Sequence, residues 1–301
     1  MMNRLIEVNG VRLGVELREP EGGGKAQSTL VLLHGFTGSA ASWGSHLDAF
    51  AASNMRVVAF DLHGHGQSDA PPDAQRYSME HCQADILAAL RELGVGANEA
   101  ALLGYSMGGR IALYLALTGY FRALILESAS PGLASADERE ARLASDEALA
   151  ASIERDGVAA FVERWEQLPL FASQHALPAR RREALHAQRL CNSTMGLANS
   201  LRGVGLGAQP ALHNRLAALD MPVLLISGEL DQKFRVIAEQ MAHLLPHVQW
   251  QSVQGAGHAV HLEQPAVFDD LVIAFSNECI SNAVEADKAA PTVSTQKKDI
   301  F

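Results

Sequence analysis

In a chain of 301 residues, the scarcities are informative before anything else is read. Cys82, Cys191 and Cys279 are too few and too scattered for a disulfide framework or a cysteine-based metal cluster, and fit reduced thiols. No run of about 18 apolar residues occurs, so no transmembrane helix and no membrane partner are expected. Residues 1–10 lack the basic stretch and apolar core of a secretory signal, and a cytoplasmic location follows as the expectation. Basic residues are also scarce, 24 against 34 acidic ones. The resulting net charge of −10 argues against a nucleic-acid partner. What is plentiful is apolar: at 48% hydrophobic and 19% charged residues the chain can bury a sizeable core, which excludes global disorder and a small disulfide-stapled fold.

The shortage of lysine has a location. Only five lysines occur in the chain, and none lies in residues 134–215, where ten arginines stand beside ten acidic residues. Arginine without lysine favours planar, bidentate recognition of carboxylates. A coding bias toward arginine would give the same composition, and the counts alone leave both readings open.

Short apolar runs alternate with longer helical stretches, the pattern of βαβ units around a mostly parallel sheet. Residues 5–8 and 12–17 flank Asn9-Gly10, a favoured dipeptide for a tight hairpin. Buried strands are expected at 29–33, 56–60, 101–104, 123–127, 223–227 and 248–253, and helices at 45–53, 79–93, 107–118, 236–245 and 265–275. Between residues 128 and 221 the alternation fails, leaving helical pieces broken at Pro131, Gly157, Pro169, Pro178 and Gly196. This predicts a helical cap, residues 134–215, inserted after the sixth strand into a core of residues 1–133 and 216–277. A polar composition with Pro291 and Lys297-Lys298 predicts a disordered tail over 278–301.

Gly104-Tyr105-Ser106-Met107-Gly108 follows an apolar strand and opens a helix, the context in which a G-x-S-x-G serine sits on a sharp bend at the carboxyl edge of the sheet. A serine hydroxyl needs a neighbouring base to take its proton, and that base needs an orienting acid. Asp231, in Gly228-Glu229-Leu230-Asp231, and His258, in Gly255-Ala256-Gly257-His258, follow in the order Ser, Asp, His, each just past a predicted strand. Glu229 and His261 compete for the two roles, Glu229 closer to its strand end and His261 one turn into a helix. Oxyanion donors are expected from the Met107 N–H at the helix start and the Phe36 N–H in His34-Gly35-Phe36-Thr37-Gly38. His63 and His65 have no third ligand at a sensible spacing, so neither a metal nor a cofactor is expected.

The His-Gly after the third strand, the turn Asp61-Leu62-His63-Gly64-His65-Gly66-Gln67-Ser68-Asp69, the serine bend and the Gly-Ala-Gly-His ending together resemble the α/β-hydrolase superfamily over roughly residues 5–277. That resemblance implies an α/β-hydrolase fold: a mostly parallel central sheet, helices on both faces and the helical cap. A narrower resemblance rests on Gly104-Tyr105-Ser106-Met107-Gly108-Gly109-Arg110, Glu127-Ser128-Ala129-Ser130-Pro131-Gly132-Leu133, Phe161-Val162-Glu163-Arg164-Trp165 and Asn199-Ser200-Leu201-Arg202-Gly203. These segments look like the 2-succinyl-6-hydroxy-2,4-cyclohexadiene-1-carboxylate (SHCHC) synthases of menaquinone biosynthesis; Met107, Ser128-Ala129-Ser130 and the tail depart from the pattern. The resemblance implies a lyase that eliminates pyruvate from a small polyanionic substrate bearing three carboxylates, with Tyr105, Arg110, Arg142, Trp165 and Arg189 lining its pocket. A carboxylesterase or carbon–carbon bond hydrolase would use the same triad. A non-catalytic ligand receptor has no need of all three members.

Overall fold

The computed structural model describes residues 2–20 and 26–289. Its strands are β1 (Met2–Val8), β2 (Val11–Arg18), β3 (Ser28–Leu33), β4 (Met55–Phe60), β5 (Ala100–Tyr105), β6 (Ala123–Glu127), β7 (Val223–Gly228) and β8 (Val248–Val253). They form one sheet in the order β1-β2-β4-β3-β5-β6-β7-β8. The hairpin β1–β2 and the β2–β4 pair are antiparallel, and all other pairings are parallel. Parallel pairing brings the carboxyl ends of β3 to β8 to one edge, where the loops carrying the motifs begin.

The strand residues alternate between two apolar layers. Leu30, Leu32, Val57, Leu103 and Ile125 face α1 (His46–Ala52) and α9 (Pro265–Ala289). Val31, Leu33, Val58, Leu102 and Leu124 face α2 (Met79–Glu92), α3 (Met107–Ala116) and α7 (Gln232–Ala242). Three expectations need correction. β8 is not a buried strand: as the outer strand it alternates, with Gln249, Gln251 and Ser252 exposed. The helix after β7 begins at Gln232, four residues earlier than expected, because the Asp231 carboxylate caps it by accepting the Phe234 N–H (3.3 Å). The last helix runs to Ala289, through the first part of the expected tail. No glycine or proline interrupts residues 276–289, Phe275 and Cys279 pack with the α9 layer, and Arg122 donates to the Cys279 carbonyl (3.1 Å). Residues 290–301 of that tail lie outside the described residues.

Between β6 and β7 the described chain is helical: α4 (Ala136–Glu166), bent at Gly157, then α5 (Ala179–Leu190) and α6 (Thr194–Val204). Ala150, Ile153, Phe161, Val162, Leu197, Ala198 and Leu201 form a separate apolar cluster, and Arg202 on α6 bridges Glu147 and Glu154 on α4 (2.8 and 2.6 Å). The two ends of the insertion meet where the Leu212 N–H donates to the Pro131 carbonyl (2.8 Å). A short helix α8 (Val260–Glu263) precedes α9.

Gly196, expected to break a helix, lies inside α6. Its value is a close approach: a Cβ there would run into the Gly64 backbone of the glycine-rich turn after β4. This contact seats the insertion on the sheet edge. Gly196→Ala should therefore lower stability by about 1–3 kcal/mol through overpacking, although alanine is the better helix former. A fall in the urea midpoint checks this, and an unchanged midpoint would mean that α6 and the turn can separate freely.

Candidate active site

β5 ends at Tyr105, and the next residue, Ser106, takes φ 51° and ψ −108° before α3 begins. Such a backbone is costly for a residue with a side chain and persists only where its surroundings hold it. Here the Ser106 N–H donates to the Glu127 carbonyl (2.9 Å), extending the β5–β6 ladder by one residue, while its own carbonyl accepts the Arg110 N–H (3.0 Å). Gly108 lets the first turn of α3 lie against the carbonyls of Leu33 and His34, a space any Cβ would fill. The bend turns the Ser106 hydroxyl toward His258, whose Nε2 is 3.0 Å away. The Nδ1 of the same buried ring lies 2.7 Å from Asp231 Oδ2. A carboxylate at that distance keeps the proton on Nδ1, so Nε2 is free to accept from the serine.

The rivals for these roles are engaged elsewhere. Glu229 accepts the Gly255 N–H (3.0 Å). His261 is held by Glu127, whose carboxylate accepts the His261 backbone N–H (3.0 Å) and lies 2.9 Å from Nδ1. Glu127 is fully buried, and its part in the site was missed in the sequence, where a lone charge ending the apolar run Ala-Leu-Ile-Leu was the available signal. Glu263 was missed as well; it accepts the N–H groups of Gly257 (2.7 Å) and Ala259 (3.3 Å). Two carboxylates thus hold the His258 loop from both sides.

Facing the serine is the loop after β3. Neither the Phe36 nor the Met107 N–H has a partner among the described residues, so both are free to donate. His34 Nε2 accepts the Leu62 N–H (3.0 Å), which leaves Nδ1 as the donor to the Gly35 carbonyl (2.8 Å). Both bonds require the neutral ring, and burial supplies it, pushing the His34 pKa down to about 4. Burial, then the nearby charge of His34, pushes His65 down to about 3. His63, the other histidine of this turn, lies 3.0 Å from the buried carboxylate of Asp85.

Ser106, Asp231 and His258 open on a cavity of about 530 Å³ that also meets Phe36, Tyr105, Met107, Arg110, Arg142, Trp165 and Arg189. Every site residue expected from the sequence is therefore in one place. The volume suits a small organic ligand. Four cations, Arg110, Arg142, Arg189 and Lys233, line it against one carboxylate, Asp231. Arg142 is paired with Asp146 (2.7 Å), and buried Arg189 with Glu166 (2.8 Å) and Gln174 (3.1 Å), its guanidinium 5.3 Å from the Phe171 ring. Burial opposes ionisation of Glu166, yet hydrogen bonds from Arg189 and His186 hold its carboxyl below the ordinary value. Arg110 is different. It donates to the Val204 carbonyl (2.7 Å) and Gln209 Oε1 (3.1 Å), and no carboxylate pairs with it among the described residues. Burial, then the charge of Arg142, lowers its pKa to about 10, so it remains cationic at neutral pH. Burial and the Glu127 charge hold the Tyr105 phenol well above its usual value, leaving it a neutral donor. Trp165 Nε1, Arg189 Nε and Ser128 Oγ, all in the lining, are buried without a protein partner, which favours a ligand rich in acceptors.

Comparison with known proteins agrees with this geometry. A family model described as the alpha/beta hydrolase fold matches residues 28–265. A Bacillus subtilis (strain 168) protein provisionally named as a 2-succinyl-6-hydroxy-2,4-cyclohexadiene-1-carboxylate synthase is 43% identical over 264 residues, covering 87% of this chain and 95% of its own. The Salmonella agona (strain SL483) protein named for the same synthase is 36% identical, covering 81% and 92%. The solved structure of MenH from S. aureus superposes with a TM-score of 0.83 at 34% identity, covering 88% of this chain and 98% of its own.

The two depressed histidines fix the sign of an acid response. Each takes up a proton on unfolding, where its pKa returns to about 6.5. Their contribution to stability is complete above pH about 6.5 and is lost as pH falls through about 4 for His34 and about 3 for His65. The thermal midpoint should drop between pH 6.5 and 4, above most carboxylate titration, with proton uptake measurable by calorimetry in buffers of different ionisation enthalpy. A flat midpoint across that window would contradict the neutral-ring assignment.

Proposed function

Because the chain belongs to the α/β-hydrolase fold family, and within it to the group of the SHCHC synthases, we propose that it eliminates pyruvate from 2-succinyl-5-enolpyruvyl-6-hydroxy-3-cyclohexene-1-carboxylate. The observation that carries this reading is Arg110: a half-buried guanidinium without a carboxylate partner among the described residues, one helical turn from Ser106, in a cavity with three more cations. A neutral ester offers such a group only uncharged acceptors, whereas a ligand carboxylate also compensates its charge. Residues 134–215 act in this reading as an anion-recognising cap on a core of residues 1–133 and 216–277. The free thiols of the three cysteines and the lack, among the described residues, of any helix long and apolar enough to cross a membrane fit work in the cytoplasm.

The reaction begins when His258 Nε2 takes the Ser106 hydroxyl proton, with Asp231 stabilising the imidazolium. The serine oxygen then removes the proton from the ring carbon next to the succinyl ketone, and the enolate oxygen is held by the Phe36 and Met107 N–H groups. The electron pair moves through the ring double bond and expels the enolpyruvyl group, which receives a proton from His258 and leaves as pyruvate. Ser106 acts as a base throughout and is never acylated.

Pyruvate release from the enolpyruvyl compound, followed by a coupled lactate dehydrogenase assay, tests the reading. Ser106→Ala, Asp231→Asn and His258→Ala should each lower kcat by about 10³-fold or more while folding normally. Mass spectrometry of enzyme quenched during turnover should show unmodified Ser106. A substrate-derived adduct there would replace the lyase with an acyl-transfer hydrolase.

The cationic lining makes a separate demand. Arg189→Ala removes a charge-assisted donor worth roughly 1.5–3 kcal/mol and should raise KM for the tricarboxylate about ten- to hundredfold. Hydrolysis of a neutral activated ester should change far less. Equal losses on both compounds would assign Arg189 to folding of the insertion.

A further inference from the structure

We infer that Gln188 and Asn192 are positioning residues, reaching from the end of α5 to hold the loop that presents the Phe36 N–H. The inference rests on the reading of that N–H as an oxyanion donor. Gln188 Nε2 donates to both Ser39 Oγ (2.9 Å) and Ser42 Oγ (2.7 Å), and Asn192 Nδ2 donates to the Thr37 carbonyl (2.8 Å). Gln188 stands in the last turn of α5 and Asn192 two residues past its end, and both amides reach the same loop.

The loop needs such support. Thr37 is held at φ 68°, a left-handed conformation that a β-branched residue adopts only under constraint. Inside the loop the Gly38 N–H donates to the Gly35 carbonyl (3.0 Å) and the Ser39 N–H to Ser42 Oγ (2.9 Å). From the core, Asp61 Oδ1 accepts the Ala40 N–H. The Thr37–Gly38 peptide, two on from the one that carries the Phe36 N–H, is secured from outside the loop by Asn192, and the turn that follows it by Gln188.

The supporting helix is itself lightly anchored. Arg189 is the only buried residue of α5, and apart from Gln188 the hydrogen bond this helix makes to the core among the described residues runs from Arg181 to the Leu262 carbonyl (3.2 Å). Exposed hydrogen bonds of this kind open locally, so the seat can part without unfolding the sheet. Arg189 lies between the two amides in sequence and faces the cavity. A substrate carboxylate on Arg189 therefore stabilises the same helix position that sets the oxyanion donor, linking capture of the anion to readiness for chemistry.

The test separates this coupling from the identity of the substrate. Gln188→Leu and Asn192→Ala are assayed for pyruvate release and, independently, for the rate at which diisopropyl fluorophosphate phosphorylates Ser106 with loss of fluoride, since the phosphoryl oxygen of that neutral reagent uses the same N–H donors. Folding is checked by circular dichroism and thermal midpoint. We expect phosphorylation by the reagent and kcat to fall by about tenfold or more with KM changed less than twofold, because a displaced donor weakens the transition state and not ground-state binding. Gln188→Glu, whose carboxylate can accept from the Ser39 and Ser42 hydroxyls, should recover much of the rate. Phosphorylation by the reagent at the unaltered rate in either folded variant, or a rise in KM alone, would overturn the inference. If the unaltered protein releases no pyruvate, the lyase reading fails while the phosphorylation rates still decide this one.

Discussion

The hydrogen bond from Ser106 to His258 joins residues 152 apart in sequence, and it exists only because parallel strands end on a common edge. Each partner is delivered by a different strand end: Ser106 by β5, Asp231 by β7 and His258 by β8. β6 contributes Glu127, whose carbonyl holds the Ser106 N–H and whose side chain holds His261. A slip of one residue between β5 and β6 would move both anchors at once. The geometry of the serine is thus set by sheet register before any side chain of the cavity is considered.

The charge arrangement separates the global field from the local one. A protein of net charge −10 repels a polyanion at long range, but exposed charges are screened within about 8–10 Å at physiological salt. Inside the cavity the effective dielectric is lower and each cation counts for more. Asp146 and Glu166 already compensate two of the arginines, which limits the penalty of keeping Arg189 buried before a ligand arrives. Most arginines of the insertion serve the scaffold instead, as Arg202 does between α4 and α6 and Arg155 beside Asp156. The lysine-free stretch therefore reflects two uses of one side chain.

How much was legible follows from what each signal requires. Strands β3 to β7 were readable because buried parallel strands are nearly continuous apolar runs, the β1–β2 hairpin because of its Asn9-Gly10 turn, and the serine bend because its glycines leave a local signature. The triad followed from chain order past strand ends. The pairing of Glu127 with His261 escaped because it spans 134 residues and no local pattern joins a strand end to a helix start so far along the chain. Gln188 and Asn192 escaped because amides near the end of a polar, mostly exposed helix look like solvated surface. The length of α9 was misjudged because polar composition was weighed above an unbroken run of helix-compatible residues. Gly196 was misjudged because a glycine signals a break or a close approach with the same letter.

The bond between Leu212 and Pro131 closes the insertion on itself between two adjacent strands. A segment that leaves and rejoins the sheet at neighbouring points adds little strain to the strands that carry it. Its length and lining can drift over generations while the sheet beneath keeps its register. Chemistry and recognition are in this way separately heritable: one scaffold can acquire a new substrate by rewriting a closed loop, with its proton-transfer machinery passed on intact.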